Sequence, residues 1–558
     1  MMKLREAGQT VMGKKVVIVG GVAAGASTAA RLRRMDEEAE IIMVERGEFI
    51  SFANCGLPYF VGGVIKQRKH LLIQTPRSMH SRFNIDVRTE SEVERIVPED
   101  KEVLIKKLDG ESYRESYDYL VLCPGAAPIV PNIEGIDFPN VFSVRNVPDS
   151  DAIRQYIDVN KPSAAVIMGG GFIGLEMAEM LRECDLRVFL VEAAPQVMGA
   201  LDPEMASIVH HYLRKNDIEL CLSDKVVSLQ GSAQAEKVVL DSGRIIDTDL
   251  VILGIGVKPE AKLAREAGLA IGTTGGILVD EYLRTSDPFI YAAGDAIQVK
   301  DFVTGQDILL PLASPANRQG WLIANNLCNR PVKYSGAQGT AIVKIMDMTV
   351  AVTGKNEKTL RSLGWNYKAC HAQPNSHATY YPGANPMTAK LLFDPENGKV
   401  LGAQIVGRDG VDKRIDVLAT AIRAGMTVFD LQELELAYAP PFSSAKDPVN
   451  MLAYAAANIV LKDIEVIHWP EVSERVAGGA FLIDARTPQE FAHGAVTNAY
   501  NIPVDEIRAR LDEIPPDKDI LVYCGQGLRS YIVNRILLQK GYDAKNISGG
   551  YGLYQYQL

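Results

Sequence analysis

Two glycine-rich turns, each joining a short apolar run to a helical pattern, constrain the fold of this 558-residue chain most strongly. The second, Gly169-Gly170-Gly171-Phe172-Ile173-Gly174, is a complete G-x-G-x-x-G that follows the apolar run Ala164–Met168. The first, Gly20-Gly21-Val22-Ala23-Ala24-Gly25, follows the β-branched run Lys14–Val19 and has Val22 where the middle glycine belongs. Because such a turn aims free N–H groups at an anion beside a helix N-terminus, we predict two βαβ units of the dinucleotide-binding type.

In the second turn each glycine has a separate expected role. Gly169 permits the tight bend, Gly171 lets a pyrophosphate approach the backbone, and Gly174 lets the helix pack closely on the strand. Glu192 stands eighteen residues after Gly174, at the end of the next predicted strand. A carboxylate there accepts hydrogen bonds from a ribose 2′-hydroxyl and repels a 2′-phosphate, which favours NADH over NADPH.

The first turn is supported by two later carboxylates. Glu45 ends the following strand, twenty residues after Gly25. Farther along, the predicted strand Ile290–Ala292 runs into Gly294-Asp295, which places Asp295 at the carboxyl edge of a sheet, where ligands bind. The alternative for Asp295 is a plain helix N-cap.

Cys55 lies in the most informative stretch, Ser51-Phe52-Ala53-Asn54-Cys55-Gly56-Leu57-Pro58-Tyr59. The Gly-Leu-Pro that follows it predicts a helix start, because proline is tolerated in a first turn. A thiolate at a helix N-terminus is stabilised, so the pKa of Cys55 is expected to fall and to suit disulfide exchange. A buried, inert cysteine is the alternative that spacing alone leaves open.

A second cysteine, Cys524, ends the predicted strand Ile520–Tyr523 and precedes Gly525-Gln526-Gly527-Leu528-Arg529 and a helix. A glycine-containing loop of this kind surrounds sulfur with backbone N–H donors, and Arg529 adds positive charge. The arrangement is suited to a thiolate or a persulfide anion.

Composition excludes several classes of protein. The net charge is -10, and no Lys/Arg-rich run suggests nucleic acid or a membrane as partner. No apolar stretch reaches the ~20 residues of a membrane span, and residues 1–13 lack the apolar core of a secretory signal. The seven cysteines form no C-x-x-C pair, which favours the reduced cytoplasm. No metal site is predicted, although His371 and His377 lie close in sequence.

The two turns and the Ala-Gly-Asp segment together resemble the two-dinucleotide flavoproteins of the pyridine nucleotide-disulfide reductase family. The resemblance implies that FAD is held by Gly20, Gly25, Glu45 and Asp295, and the nicotinamide cofactor by the second unit. Around Cys55 the chain is similar to the single-cysteine branch, which includes coenzyme A-disulfide reductases, NADH oxidases and peroxidases. The oxidised thiol is then a mixed disulfide or a sulfenic acid.

Several positions match those that bind coenzyme A, as substrate or bound ligand, in the disulfide reductases of that branch: Ser27, Arg31, Arg34, Ser51, Asn54, Asn317 and Lys446. Arg31 and Arg34 share one helix face and can clamp a phosphate, with a solvated surface as the alternative. Phe83 stands where the family has a basic residue.

The third domain resembles family segments that reach the flavin site of a partner subunit, so the resemblance implies a homodimer. Tyr438, with Tyr380, can donate hydrogen bonds to a departing coenzyme A thiolate. Whether Tyr380 or Tyr381 faces the site stays open.

The last ninety residues or so resemble the rhodanese family through D-x-R-x-x-x-E-F, N-I-P, C-x-x-x-x-R and Gly549-Gly550, with Tyr554 in place of the usual tryptophan. The resemblance implies a sulfur-transfer domain in which Cys524 is the working thiol.

The predicted fold class is therefore α/β, with two Rossmann-like dinucleotide-binding domains, an α+β dimerisation domain and a small α/β rhodanese domain. The expected boundaries are 14–126 and 258–332 for the FAD domain, 127–257 for the NAD(P)H domain, 333–461 for dimerisation and 466–558 for rhodanese. Residues 462–469 are expected to be a linker.

The predicted function is FAD-dependent reduction by NADH, or by NADPH, of a small-molecule disulfide, persulfide or polysulfide, above all coenzyme A disulfide, with sulfur transfer through Cys524. Two alternatives stay open: an NADH oxidase or peroxidase that cycles Cys55 through sulfenic acid, and a redox-sensing scaffold that docks a partner.

Overall fold

Residues 13–556 of a computed structural model are described, and they divide into two compact units. The first unit combines the residues up to Val191 with Asp224–Ala337, and the second combines Glu192–Ser223 with the residues from Gln338 onward. Of residues 1–13, which were expected to form no secretory signal, only Gly13 belongs to the described residues. Between residues 13 and 556, no helix has both the length and the apolar composition that a membrane crossing needs.

The helices and strands follow in chain order. The first stretch contains β1 (Lys15–Val19), α1 (Ala23–Met35), β2 (Glu40–Val44), α2 (Leu57–Val61), α3 (Pro76–Phe83), β3 (Asp86–Arg88), β4 (Ser91–Val97), β5 (Glu102–Lys107), β6 (Ser112–Ser116), β7 (Tyr119–Leu122) and β8 (Ala126–Pro128). The next contains β9 (Val141–Ser143), α4 (Val147–Asn160), β10 (Ala164–Met168), α5 (Phe172–Glu183), β11 (Arg187–Glu192), α6 (Pro203–Lys215), β12 (Ile218–Leu222), β13 (Val226–Gln230), β14 (Lys237–Leu240), β15 (Ile245–Asp247), β16 (Leu250–Leu253), β17 (Val257–Pro259) and α7 (Lys262–Glu266). Then come β18 (Ile277–Leu278), β19 (Ile290–Ala292), β20 (Ile297–Lys300), β21 (Asp307–Ile308) and α8 (Ala313–Leu327).

The C-terminal half begins with β22 (Ala341–Ile345), β23 (Met348–Gly354), α9 (Glu357–Ser362), β24 (Lys368–Ala372), β25 (Met387–Phe393), β26 (Val400–Gly407), α10 (Val411–Ala424), α11 (Val428–Gln432) and α12 (Pro448–Val460). It ends with β27 (Glu465–Ile467), α13 (Trp469–Ala477), β28 (Phe481–Asp484), α14 (Pro488–Ala492), β29 (Tyr500–Asn501), β30 (Ile520–Tyr523), α15 (Leu528–Gln539), β31 (Ala544–Ile547) and α16 (Gly550–Tyr554).

The first unit contains two parallel sheets, one for each glycine-rich turn. One sheet has the order β19-β7-β1-β2-β3, and the other includes β11, β10, β16 and β9 side by side. Their central strands are continuous apolar runs because both faces of a parallel sheet are covered. Val16, Val17 and Ile18 are fully buried, as are Val166 and Ile167. The predicted pair of Rossmann-like units is confirmed.

The second unit contains a five-stranded antiparallel sheet and a five-stranded parallel sheet. The antiparallel sheet, in the order β22-β23-β26-β25-β24, packs against α10 and α12. The parallel sheet has the order β27-β31-β30-β28-β29, and β30 is its central strand. The predicted α+β domain and small α/β module are therefore both present.

The linker predicted for residues 462–469 is wrong over most of its length. Glu465–Ile467 is strand β27, which pairs in parallel with β31, and Trp469 is buried at the start of α13. The run Glu465-Val466-Ile467 is too short to show a period, and its parallel partner lies about eighty residues away, so the local sequence did not reveal the pairing.

Candidate active sites

The first glycine-rich turn lies against a cavity of about 200 Å³ in the first unit. Its walls include Gly20, Glu45, Asn54, Arg145 and Asp295. Gly20 has φ +96°, and a Cβ there would stand 2.1 Å from the Cys123 carbonyl oxygen. The turn therefore requires glycine at its first position, and the cavity brings Glu45 and Asp295 to the same space.

Both carboxylates at this cavity have defined surroundings. The Glu45 side chain accepts hydrogen bonds from the backbone N–H groups of Gly21 (2.9 Å) and Gly47 (2.8 Å), which fixes it under the turn. Asp295 lies inside a short 3-10 turn, Gly294–Ala296, whose N-cap position is occupied by Ala293. Burial raises the pKa of Asp295, and the nearby Arg145 partly opposes that rise. These features fit a polar, partly enclosed nucleotide site better than a helix cap.

The second turn has the geometry that the three expected glycine roles require. A Cβ on Gly169, at φ +106°, would stand 2.4 Å from the Gly254 carbonyl oxygen, and one on Gly174 would stand 2.0 Å from that of Gly169. By contrast, a Cβ on Gly171 would meet nothing within 4 Å. Two glycines thus pack backbone on backbone, while the third leaves open space at the start of α5, which fits a pyrophosphate.

Glu192 ends β11 as predicted, and it is half-buried. One of its oxygens accepts a hydrogen bond from the backbone N–H of Ala194 at 2.8 Å. This contact orients the carboxylate, and a carboxylate oxygen can accept a further hydrogen bond from a ribose hydroxyl.

Cys55 is exposed in the 3-10 turn Asn54–Gly56, directly before α2. The predicted helix start is present, with Pro58 in its first turn. The expected fall in the pKa of Cys55 is absent. Partial loss of hydration raises this pKa most, and the negative charges of Glu176 and Asp295 raise it further.

Glu176 is a residue of this site that sequence analysis missed. It lies on α5, and its carboxylate accepts a hydrogen bond from the Tyr59 hydroxyl at 3.2 Å. Burial raises the pKa of Glu176 to about 7. One feature of the sequence could have identified Glu176: it is a charged residue within the apolar helix that follows the second glycine-rich turn.

The other cysteines of the chain differ from Cys55. All seven lie within residues 13–556, and none of them forms a disulfide there. Burial raises the pKa values of Cys123 and Cys370 to about 12, so these two are inert near neutral pH.

Three of the residues predicted to bind coenzyme A, Ser27, Arg31 and Asn317, lie where α1 packs on α8, and Arg34 lies farther along α1. The Ser27 hydroxyl donates to the Asn317 side chain at 2.5 Å. Arg31 is half-buried over the Trp321 ring, and its Nε has no hydrogen-bond partner among the described residues. Arg34 is exposed, 6.0 Å from the centre of the Phe83 ring. The Arg31 guanidinium is therefore not a solvated surface group.

The remaining predicted coenzyme A residues lie elsewhere. Asn54 lines the cavity, and Ser51 has φ +43° in the preceding turn. Lys446 belongs to the second unit, where its Nζ lies 5.8 Å from the centre of the Tyr454 ring.

Tyr380 and Tyr438 lie together on the surface of the second unit. Their hydroxyls are 2.6 Å apart, and 73% and 47% of the respective residues are exposed. Tyr381 instead packs edge-on against His377. Neither Tyr380 nor Tyr381 is on a strand. The hydroxyl contact shows that Tyr380, not Tyr381, pairs with Tyr438.

Cys524 lies at the end of β30 and is only 1% exposed. Its Sγ accepts a hydrogen bond from the backbone N–H of Gly527 at 3.0 Å, as the predicted loop requires. Behind the loop, the backbone N–H of Tyr551 donates to the Cys524 carbonyl at 2.7 Å. Gly550 must be glycine there, because a Cβ would stand 2.5 Å from that same carbonyl.

The positive charge expected from Arg529 is largely offset. Its guanidinium makes a two-point ion pair with Glu490, at 2.6 and 2.7 Å. This hydrogen-bonded pair lowers the pKa of Glu490 to about 2, so the carboxylate is ionised at neutral pH. The expected positive charge of Arg529 is present near Cys524, which is among the groups that raise the Arg529 pKa, and Glu490 pairs with it.

Tyr554, which stands where the rhodanese family usually has a tryptophan, packs among other aromatic residues. Its ring lies 4.5 Å from that of the buried Trp469, which also contacts Tyr523. The tryptophan on α13 thus supplies indole packing beside the tyrosine.

A buried cluster of charges lies in the second unit. Asp202, Glu204 and Glu357 stand close enough to share a metal ion, but the Lys390 Nζ is ion-paired with all three. His371 bridges this cluster to Ser548, whose hydroxyl lies 2.8 Å from Nδ1. His371 and His377 do not form a metal cluster with each other, since their ring nitrogens have separate partners.

Three protein families match successive parts of the chain. Residues 14–320 match the pyridine nucleotide-disulphide oxidoreductase family, 340–448 its dimerisation domain, and 469–556 the rhodanese-like domain. Membership of the first family implies FAD and NAD(P)H, and the residues of both turns fit such groups.

Curated relatives are similar over 79% of this chain and nearly their whole length. An "NADH oxidase" of Methanocaldococcus jannaschii is 37% identical over 445 residues, 98% of its length. A "Coenzyme A disulfide reductase" of Staphylococcus aureus is 35% identical over 444 residues, 99% of its length. An "NAD(P)H sulfur oxidoreductase (CoA-dependent)" of Pyrococcus furiosus is 37% identical over 441 residues, 98% of its length.

Two solved structures are similar over nearly the whole chain. Reduced Bacillus anthracis CoADR-RHD is 53% identical, with a TM-score of 0.96 and 98% of both chains covered. An NAD-dependent persulfide reductase from A. fulgidus is 38% identical, with a TM-score of 0.92, covering 97% of this chain and 100% of that one. The chain therefore belongs to the pyridine nucleotide-disulphide oxidoreductase family and is an NAD(P)H-dependent oxidoreductase that ends in a rhodanese-like domain.

Proposed function

We propose that this enzyme reduces coenzyme A disulfide, and coenzyme A persulfide or polysulfide, through Cys55, and that Cys524 carries sulfane sulfur. The observation that carries the proposal is the position of Cys55: an exposed thiol next to Asn54, which lines the cavity, with no second cysteine in the segment. Because no cysteine neighbours it in the segment, a disulfide at Cys55 would take its second sulfur from a small molecule. The Staphylococcus aureus and Pyrococcus furiosus relatives, whose names include coenzyme A, support that choice of partner.

The chemistry at Cys55 balances in two steps. The thiolate attacks coenzyme A disulfide, forms a Cys55–coenzyme A disulfide and releases one coenzyme A thiolate. With coenzyme A persulfide, the same mixed disulfide forms and HS⁻ leaves. Two electrons then break the mixed disulfide into two thiolates. FAD, when bound, would relay those electrons from the nicotinamide.

The residues of the chain would hold the reactants as follows. Gly20, Gly25, Glu45 and Asp295 would hold FAD, and Gly169, Gly171, Gly174 and Glu192 would hold NADH in preference to NADPH. Ser27, Arg31, Arg34, Ser51, Asn54, Asn317 and Lys446 would bind coenzyme A. The buried, unpartnered Nε of Arg31 supports an anionic ligand there, because an unpaired buried donor is costly.

Tyr380 and Tyr438 would donate hydrogen bonds to the departing coenzyme A thiolate of a partner subunit. The two exposed tyrosines, whose hydroxyls touch, give this surface aromatic area that suits a homodimer interface. We further propose the domain boundaries given by the sequence and a cytoplasmic location, which the absence of disulfides among the described cysteines favours.

Intact-mass spectrometry of the purified, untreated protein tests the thiol assignment. We expect an adduct of coenzyme A mass that maps to Cys55 and is released by NADH. The Cys328→Ser variant is the matched control, because Cys328 is a half-exposed cysteine of the same unit and should leave the adduct in place. An untreated protein that carries only a sulfenic or sulfinic acid at Cys55 would contradict the proposal.

The Methanocaldococcus jannaschii relative favours a second candidate, an NADH oxidase that cycles Cys55 through sulfenic acid. Stopped-flow reoxidation of the NADH-reduced enzyme separates the two functions. We expect coenzyme A persulfide and coenzyme A disulfide to reoxidise it faster than oxygen or peroxide. Faster reoxidation by oxygen, with no response to the sulfur compounds, would establish the oxidase instead.

A further inference from the structure

The loop that carries Cys524 contains one ionisable group besides the thiol itself. From Cys524 to Arg529 the residues are Cys, Gly, Gln, Gly, Leu and Arg, so Arg529 is the single cation of the loop. The side chain of Leu528, at the start of α15, belongs to a residue that is 67% exposed. The approach to this loop thus offers an apolar side chain and one guanidinium.

That guanidinium is held by Glu490 in a fixed geometry. The two ion-pair contacts of 2.6 and 2.7 Å use two nitrogens of Arg529 and both oxygens of Glu490. Glu490 is itself anchored, since it accepts a hydrogen bond from the backbone N–H of Thr487 at 2.9 Å. Two-point pairs of this kind are strong and directional, so the net charge beside the loop is close to zero.

The second arginine behind the loop is neutralised in the same way. Arg486 is buried and ion-paired with Asp484 at 2.6 Å. Its guanidinium lies 4.0 Å from the centre of the Tyr551 ring, and Tyr551 supports the Cys524 carbonyl. Neither arginine therefore offers an uncompensated positive charge to a donor at Cys524.

We propose that Glu490 makes the Cys524 site select organic persulfides over thiosulfate, by neutralising Arg529. Thiosulfate is a small dianion, and it loses much hydration at a site without net positive charge. An organic persulfide, R–S–SH, has lower charge at the reacting sulfur and a carbon chain that can lie against Leu528. The proposal rests on the assignment of Cys524 as a sulfur carrier.

The two possible steps balance as follows. With an organic persulfide, the Cys524 thiolate attacks the outer sulfur, the S–S bond breaks, R–S⁻ leaves and Cys524 becomes Cys–S–SH. With thiosulfate, the same attack releases sulfite and leaves Cys–S–S⁻. The thiolate and thiosulfate together carry three negative charges. Arg529 does not compensate for them, because its own charge is paired with Glu490.

The experiment measures persulfide formation on Cys524 by quenched-flow mass spectrometry, with glutathione persulfide or thiosulfate as donor. The full-length Cys55→Ser holoprotein is used so that reduction at Cys55 does not interfere. We expect the wild-type loop to react at least about a hundredfold faster with glutathione persulfide. The Glu490→Gln variant, which keeps the acceptor for Thr487, should react about tenfold faster with thiosulfate and little differently with the persulfide.

Three further variants keep the test decisive. Glu506→Gln removes another glutamate–arginine pair of the same domain, with Arg510, and should change neither rate. Arg529→Gln should slow thiosulfate further, because Glu490 is then uncompensated. The Glu490→Gln/Arg529→Gln double variant should restore the wild-type donor ratio, since its net charge is again zero.

The outcomes separate this proposal from the one it rests on. If Cys524 is persulfidated but thiosulfate matches the persulfide in the wild-type loop, or Glu490→Gln leaves the ratio unchanged, selection by Glu490 is refuted. If no donor persulfidates Cys524, the carrier role itself fails, and selection by Glu490 fails with it.

Discussion

The two thiols that we propose to be reactive are placed in opposite ways. Cys55 is exposed beside a five-residue helix, and partial loss of hydration, with Glu176 and Asp295, raises its pKa. Cys524 is almost fully buried at the carboxyl end of the central strand of a parallel sheet, and a backbone N–H points at its sulfur. A position before a helix therefore does not by itself lower the pKa of a thiol, because loss of hydration and nearby carboxylates act against it.

The difference has a chemical consequence. A raised pKa leaves Cys55 dependent on the bound cofactor and substrate for stabilisation of its thiolate. The sulfur of Cys524 instead accepts a hydrogen bond from a backbone donor of its own loop, the N–H of Gly527. We therefore expect substitutions at the two sites to separate two activities.

The largest expected effect comes from exchanging each sulfur for oxygen. Cys55→Ser should lower NADH-dependent reduction of coenzyme A disulfide by more than about a thousandfold, because serine cannot form the mixed disulfide. Cys524→Ser should leave that reduction unchanged and abolish persulfide transfer from glutathione persulfide. Steady-state NADH oxidation and the mass of the quenched protein are the two measurements, and Cys328→Ser is the control. If either variant lost reduction of coenzyme A disulfide and persulfide transfer equally, the two thiols would not have separate functions.

The next effect concerns the buried Lys390. Lys390→Met leaves the buried Asp202 and the partly buried Glu204 and Glu357 without their shared cation, which should destabilise the protein by about 3–5 kcal/mol. Calorimetry should show a lower unfolding temperature than that of the wild type. Lys344→Met, an exposed lysine of the same antiparallel sheet, should leave the unfolding temperature unchanged. An equal shift in both variants would contradict the prediction.

The tyrosine pair should affect Cys55 chemistry alone. Tyr438→Phe removes a hydroxyl 2.6 Å from that of Tyr380, and reduction of coenzyme A disulfide should fall about ten- to a hundredfold. Persulfide transfer at Cys524 should not change. Tyr381→Phe is the matched control, because Tyr381 packs on His377, and a loss as large as that of Tyr438→Phe would refute the assignment.

The smallest effect is a change in pH dependence at Cys55. Glu176, whose pKa is about 7, is neutral at lower pH and ionised at higher pH, where its charge opposes the Cys55 thiolate. In Glu176→Gln this opposition is absent, so the pKa of Cys55 should be lower and alkylation above pH 7 several-fold faster. Iodoacetamide inactivation of the holoenzyme between pH 6 and 9 measures this. Glu183→Gln, on the exposed side of the same helix, should match the wild type.

Local pattern predicted much of the fold and part of the site. The bounds predicted for Ala164–Met168, Ile290–Ala292 and Ile520–Tyr523 are the observed ones, because buried parallel strands are short apolar runs between breakers. Strand β27 was missed because its three residues show no period, and its partner β31 is distant in sequence. The sequence could not choose between Tyr380 and Tyr381. Both lie in a turn, where the alternation of side chains along a strand does not apply.

The sequence by itself determined the two glycine turns, the helix start after Cys55 and the loop after Cys524, since each depends on neighbouring residues. Tertiary structure alone decided which charges face the two sulfurs. Glu176 approaches Cys55 from 121 residues away, and Glu490 meets Arg529 across 39 residues. Backbone preference acts over a few residues, whereas Coulomb interactions depend on distance in space, which only the folded chain defines.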